Sequence, residues 1–130
     1  MIAAAARRNA GPIAAGRMHL HHGDATTLPV PGHSLDAVIA VRTMYFWRDP
    51  AATIAEAARA LRPGGRLVLA FRAGEHPPPA RFDPRTYHVP TTGKATEWLH
   101  AAGFTNVRAQ RRPDTAATVV WLTGTTTSPR

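Results

Sequence analysis

His19, His21, His22 and Asp24 fall within six residues, and imidazole and carboxylate together are ligands for zinc or iron. Alternation along an extended strand sends His19 and His21 to one face and His22 and Asp24 to the other. A shared ion would require the strand to end before His22, and no metal site is assigned. Tyr45, Phe46 and Trp47 are three consecutive aromatics ahead of a helix signal, which either wall an apolar substrate pocket or pack in the core. Tyr87 and His88 follow in a proline-rich stretch, where they can touch a substrate or move a proton, although a lone loop histidine is ordinarily just solvated. No Ser-His-Asp or paired-carboxylate pattern is visible, so no catalytic residue is named.

These residues need elements to position them. Residues 1–15 are alanine-rich and helical in propensity, with Gly11 and Pro12 ending the first part and Gly16 closing the whole. Residues 17–22 read as a strand running into Gly23-Asp24-Ala25, followed by a loop marked by Pro29, Pro31 and Gly32. The run Leu35 to Val41 is almost continuously apolar, which suits a strand covered on both faces in a parallel sheet. Asp49 is a helix cap with Pro50 at the first helical position, and Ile54, Ala57, Ala58 and Leu61 share one face. Pro63-Gly64-Gly65 stops that helix before a second buried strand over residues 66–71, so strand, helix and strand make a right-handed parallel crossover. Residues 72–92 have no periodicity and form a long loop, a candidate lid. Thr91 or Thr92 caps a helix to Ala102, and strands over 104–110 and 118–123 pair antiparallel around a turn at Pro113-Asp114. The class is α/β.

Composition limits the partners. A chain of 130 residues is one domain, and no apolar run approaches the roughly 18 residues of a membrane span. There is no cysteine, which removes disulfides and fits a cytoplasmic protein, and the charges after the opening apolar stretch reverse the order of a secretory signal. The formal charge is +8, with fifteen arginines and Lys94 spread along the chain. Nucleic-acid binding needs clustered charge, and in sequence only Arg111 and Arg112 adjoin outside the opening helix, so nucleic acid is an unfavoured partner.

The order His22-Gly23-Asp24-Ala25, Ser34-Leu35-Asp36-Ala37-Val38, Leu61-Arg62-Pro63-Gly64-Gly65-Arg66-Leu67-Val68-Leu69 and Lys94 through Phe104 resembles class I S-adenosylmethionine-dependent methyltransferases of the small-molecule, methyltransferase type 11-like kind. The resemblance implies a Rossmann-like sheet in which ligands sit at the carboxyl ends of the strands. It also implies that this chain carries five strands ending in an antiparallel hairpin, with the first two strands of the family missing and the N-terminus truncated. Residues 1–124 would be a partial methyltransferase domain and 125–130 a disordered tail. In the family pattern Asp24 accepts from the adenine amino group and the Ala25 amide meets the ring, while Ala40, Val41 and Arg42 flank the methionine part of the cofactor. Tyr45, Phe46, Trp47 and Tyr87 would face a small-molecule methyl acceptor. No Asn- or Asp-Pro-Pro-aromatic motif follows Val41, which speaks against methylation of nucleic-acid nitrogens.

No G-x-G-x-G occurs in the chain, and Gly64-Gly65 follows a helix rather than a strand, so the main cofactor loop is not recognised. The expectation is a small-molecule methyltransferase present in an inactive form. The alternatives are an interaction module that self-associates through an exposed strand edge, and a basic nucleic-acid-binding fragment.

Overall fold

The computed structural model describes residues 2–72, 91–113 and 118–127. Two short helices open the chain, α1 (Ile2–Arg8) and α2 (Ala10–Ala14). They are separated at Asn9, earlier than the expected break at Gly11-Pro12. Pro12 sits inside the first turn of α2, where its missing N–H would have had no intrahelical partner. There follow β1 (Leu35–Val41), a 3-10 turn (Met44–Phe46), α3 (Pro50–Ala60), β2 (Leu61–Arg72), α4 (Thr92–Ala101), β3 (Phe104–Pro113) and β4 (Thr118–Thr126).

The four strands form one sheet in the order β1-β2-β4-β3, with β1 and β2 parallel and the other pairs antiparallel. Asp49 caps α3 as its residue type dictates, its Oδ1 accepting from the Ala52 amide at 3.0 Å with Pro50 next in line. Of the two threonines able to cap α4, Thr91 does so, accepting from the Lys94 amide at 3.1 Å.

Four expectations are corrected. Residues 17–22 are not a strand, and the sheet has four strands rather than five among the described residues. A strand is a pairing, and this segment has no backbone partner there beyond the amides of Arg17 and Met18, which donate back to Pro12. Second, β1 is covered on one face only: Val38 and Ala40 pack on the core, while Ile39 is 68% and Val41 49% exposed. Third, β2 begins at Leu61 rather than Arg66, because the chain leaves α3 already extended, with a register shift between Leu35 and Ala37. Fourth, β4 continues through Thr126 and pairs Thr125 with Arg66, so those residues are not a disordered tail. Residues 128–130, the stretch 73–90 with Tyr87 and His88, and the expected turn residue Asp114 lie outside the described residues.

The core lies on one side of the sheet. Leu67, Leu69 and Phe71 of β2 and Val120 and Leu122 of β4 meet Ile54 and Ala57 of α3 and Ala95 and Leu99 of α4, all nearly inaccessible to water. Alternation therefore sends Arg66, Val68, Ala70 and Arg72 of β2 and Trp121 and Thr123 of β4 to the opposite face. No described helix is long and apolar enough to cross a membrane.

Candidate cofactor site

At the carboxyl end of β1 the chain must leave the sheet, and it does so through Arg42, whose backbone is left-handed (φ 56°) while its amide donates to Ala70 O at 2.8 Å. This sharp exit leaves a hollow of about 320 Å³ between the strand end, α3 and the loop before β1. Ala25, Leu28, Ala40, Val41 and Trp47 give it an apolar lining, with Thr43 and Thr53 as its polar members. An adjoining hollow of about 270 Å³ shares Ala25 and Leu28 and includes Asp24.

Asp24 is exposed, and its Oδ1 accepts from both the amide and the hydroxyl of Thr26, each at 2.9 Å. The Thr26 amide first, then its hydroxyl, hold the carboxyl below its ordinary value, with Arg48 adding a smaller attraction. Asp24 is thus ionised at neutral pH, and Oδ2 accepts from no described residue. A carboxylate has about four lone-pair directions, so capacity remains for an amino donor. The Ala25 amide likewise has no acceptor among the described residues.

The expected site residues divide. Ala25, Ala40, Val41 and Trp47 come together in one hollow, and Asp24 lies in the adjoining one. Arg42 is exposed at the bend and does not line either. Tyr45 is 5% exposed in the core, its hydroxyl accepting from the Arg72 amide, so of the two readings open for this aromatic it is packing that the structure shows. Phe46 sets its ring edge-on to Tyr45 at 6.5 Å between centroids and is 59% exposed. Among the described residues no three of the histidine and acidic side chains group as a metal site, and with 17–22 not a strand the alternation argument about His19 to Asp24 loses its premise.

Two residues that sequence reasoning missed hold the site's wall. The Leu28 amide donates to Glu56 Oε2 at 2.6 Å, and Arg59, ion-paired to Glu56 at 2.5 Å, donates through Nη2 to Val30 O at 3.0 Å. The only signal in sequence was an acid and a base three apart on a helix, which ordinarily is a solvated surface pair.

The apolar lining and the spare capacity at Asp24 fit the adenine end of S-adenosylmethionine. Beyond Asp24, the described lining has no second carboxylate for ribose hydroxyls and no Lys or Arg for the methionine carboxylate, so those ends are not matched by these residues.

Comparison with known proteins bears on the family. The family model described as "Methyltransferase domain" matches residues 1–69. The chain is 37% identical over 65 residues to O-methyltransferase cnsE of Penicillium expansum, which covers 50% of this chain and 24% of that protein. It is 49% identical over 49 residues to an uncharacterized methyltransferase of Mycobacterium tuberculosis, covering 38% of this chain and 20% of the relative. The chain therefore spans about a quarter or less of the length of these relatives. Among solved structures, the [4+2]-cyclase SpnF superposes with a TM-score of 0.81 at 19% identity, over 98% of this chain and 63% of the other. A possible histamine N-methyltransferase from Thermotoga maritima superposes with a TM-score of 0.68 at 22% identity, over 87% and 67% of the respective chains. These two likenesses concern the fold, while the family model covers more than half of the sequence. The chain belongs to the methyltransferase-domain family of class I, S-adenosylmethionine-dependent enzymes.

Proposed function

We propose that this chain supplies one wall of an S-adenosylmethionine pocket for methyl transfer to a small molecule, and that by itself it is inactive. The observation that carries this reading is the apolar hollow at the carboxyl end of β1, where Ala25, Ala40, Val41 and Trp47 converge beside the ionised Asp24. Asp24 accepts from the adenine amino group and the Ala25 amide meets a ring nitrogen. Ala40 and Val41 border the methionine side, and Arg42, expected beside them, stands outside the hollow. Phe46 and Trp47 border the acceptor, whereas Tyr45 supports them from the core.

The bound cofactor would supply an electrophilic methyl group. For an acceptor that is already nucleophilic, the chain's part is orientation and exclusion of water rather than proton transfer, which is consistent with a lining of alanine, valine, leucine and tryptophan. Inactivity of the isolated chain is supported by its sequence holding no G-x-G-x-G cofactor loop. The unmatched ribose and methionine ends point the same way. The domain, expected over residues 1–124 and carried by β4 to Thr126, would act as one unit. Fold alone would not argue for methylation, since a cyclase shares it.

The test is isothermal titration of S-adenosylmethionine and S-adenosylhomocysteine into the purified chain after circular dichroism shows it folded. Absence of saturable heat is expected; saturable binding in the micromolar range would sink the claim of inactivity.

A second reading is favoured by one observation: the outer edge of β1 is unpaired among the described residues, with Ile39 and Val41 exposed beside it. Such an edge can pair with a second copy. Sedimentation velocity over a wide concentration range would show a rising association state, and a constant monomer would remove this reading.

A further inference from the structure

Pro29 and Pro31 shape the chain that runs from Asp24 to β1. Each lacks an N–H and disfavours helical backbone at the residue before it, so this segment has few amides with which to build a helix or a ladder of its own. Its polar groups turn instead to the C-terminal half of α3. The Leu28 amide donates to Glu56 Oε2 at 2.6 Å, and Arg59 Nη2 donates to Leu28 O at 3.4 Å and to Val30 O at 3.0 Å. The amides of His33 and Ser34 donate to Arg59 O and Ala60 O, each at 2.9 Å. Leu28 through Ser34 is thereby strapped to the helix.

The strap begins at Leu28. Before it, the amides of Thr26 and Thr27 donate to Asp24, and the Ala25 amide has no acceptor among the described residues. This short arm is braced within itself, and Leu28 is where it meets the anchored chain. Ala25 and Leu28 are also the two residues that line both hollows. Leu28 therefore has its backbone in the clamp and its side chain in the site.

We infer that Glu56 and Arg59 are positioning residues for the methyl donor: without touching it, they fix where Ala25 and Leu28 stand against the end of β1, and so how tightly the adenine end is held. The inference rests on the cofactor reading given above. Neither side chain lines either hollow, so the effect passes through Leu28. An exposed ion pair on a helix ordinarily contributes little. This pair differs because the Glu56 side chain is only 11% exposed, and its carboxylate takes the Leu28 amide as well as the guanidinium. Such charge-assisted bonds are short and directional. With the carboxylate gone, the Leu28 amide must find another acceptor or turn to water, and the arm carrying Asp24 and Ala25 moves with it.

The experiment is a heteronuclear amide NMR titration of the 130-residue chain with adenosine, which carries only the end of the donor that these residues match. The Asp24, Ala25 and Leu28 amides should shift together and fit one dissociation constant in the millimolar range, too weak for saturable heat. Glu56→Ala and Arg59→Gln should each weaken binding at least about fivefold, and Glu56→Gln, which keeps an acceptor for the Leu28 amide, by less. Asp49→Ala destabilises the same helix from its other end without touching the strap, and should bind within about twofold of the parent. That control separates positioning from a general loss of stability. The inference is overturned if Glu56→Ala or Arg59→Gln binds as the parent does, or if Asp49→Ala weakens binding as much as they do. If adenosine shifts no amide of the parent, the cofactor reading itself fails and the inference falls with it. Should Glu56→Ala fail to fold by circular dichroism, Arg59→Gln, which leaves the bond from Leu28 to Glu56 in place, decides alone.

Discussion

Leu28 and Glu56 are 28 positions apart in sequence, and the backbone amide of Leu28 donates to Glu56 Oε2 at 2.6 Å, fastening the loop that walls the cofactor hollow to the middle of α3. Arg59 completes the fastening from the next turn, binding the same carboxylate and the carbonyl of Val30. An apolar hollow is thus shaped by an ionic clamp that lies outside it.

The clamp makes stability depend on acid. The Arg59 guanidinium first, and the Leu28 amide second, hold the Glu56 carboxyl down to about 2. A group with a depressed folded pKa contributes stability that is complete above its unfolded value, here 4.5, and is lost as pH falls towards the folded value. The difference in Tm between the parent chain and Glu56→Gln should therefore be full at neutral pH, shrink below about pH 4.5 and vanish near pH 2. Thermal circular dichroism across that series checks it, and a difference that does not change with pH would contradict it.

Asp49→Ala removes the acceptor from the Ala52 amide at the start of α3. The expected loss is about 1 kcal/mol, read as a lower urea midpoint with unchanged slope. Asp49→Ser should restore most of it, because a hydroxyl oxygen also caps.

The two faces of the sheet should respond differently to truncation. Leu69 is fully buried and Ile39 is 68% exposed. Leu69→Ala should cost about 2–5 kcal/mol, whereas Ile39→Ala should stay within about 0.5 kcal/mol. Equal effects in chemical denaturation would mean that Ile39 is covered in solution, as the self-associated form requires.

Gly64 and Gly65 are needed for different reasons. Gly64 is left-handed (φ 79°), so Gly64→Ala carries a strain of about 1–2 kcal/mol with open space around the new methyl. At Gly65 an added Cβ would lie 2.8 Å from the backbone carbonyl of Arg62 and 3.1 Å from Leu61 Cβ, so the strand entry itself must move. Gly65→Ala should be the more destabilising, and it should weaken the bond from the Gly65 amide to Thr126 Oγ1, visible as faster amide exchange at that position.

Much of the fold is legible in local chemistry. Asp49-Pro50 is a helix start wherever it occurs before an apolar stripe, and Pro63-Gly64-Gly65 marks a sharp entry to a strand, because capping and backbone freedom act over a few residues. The run around Leu67 to Phe71 is apolar enough to demand burial, and the place of Ala40 and Val41 in the hollow follows from their position at the end of a strand. Residues 17–22 were misread for the complementary reason: their alternating pattern satisfies a strand locally, but a strand exists only where another lies within hydrogen-bonding reach.

By itself the amino-acid sequence determined the α/β class, the caps, the crossover and the family, all of which rest on short-range pattern. Only the tertiary structure decided that Tyr45 belongs to the core, that Glu56 and Arg59 hold Leu28 and Val30, and that Trp121 lies between Ala70 and Gln110 across the sheet. Each of these is a relation between residues brought together by packing or by strand register, and register depends on every pair along the ladder at once.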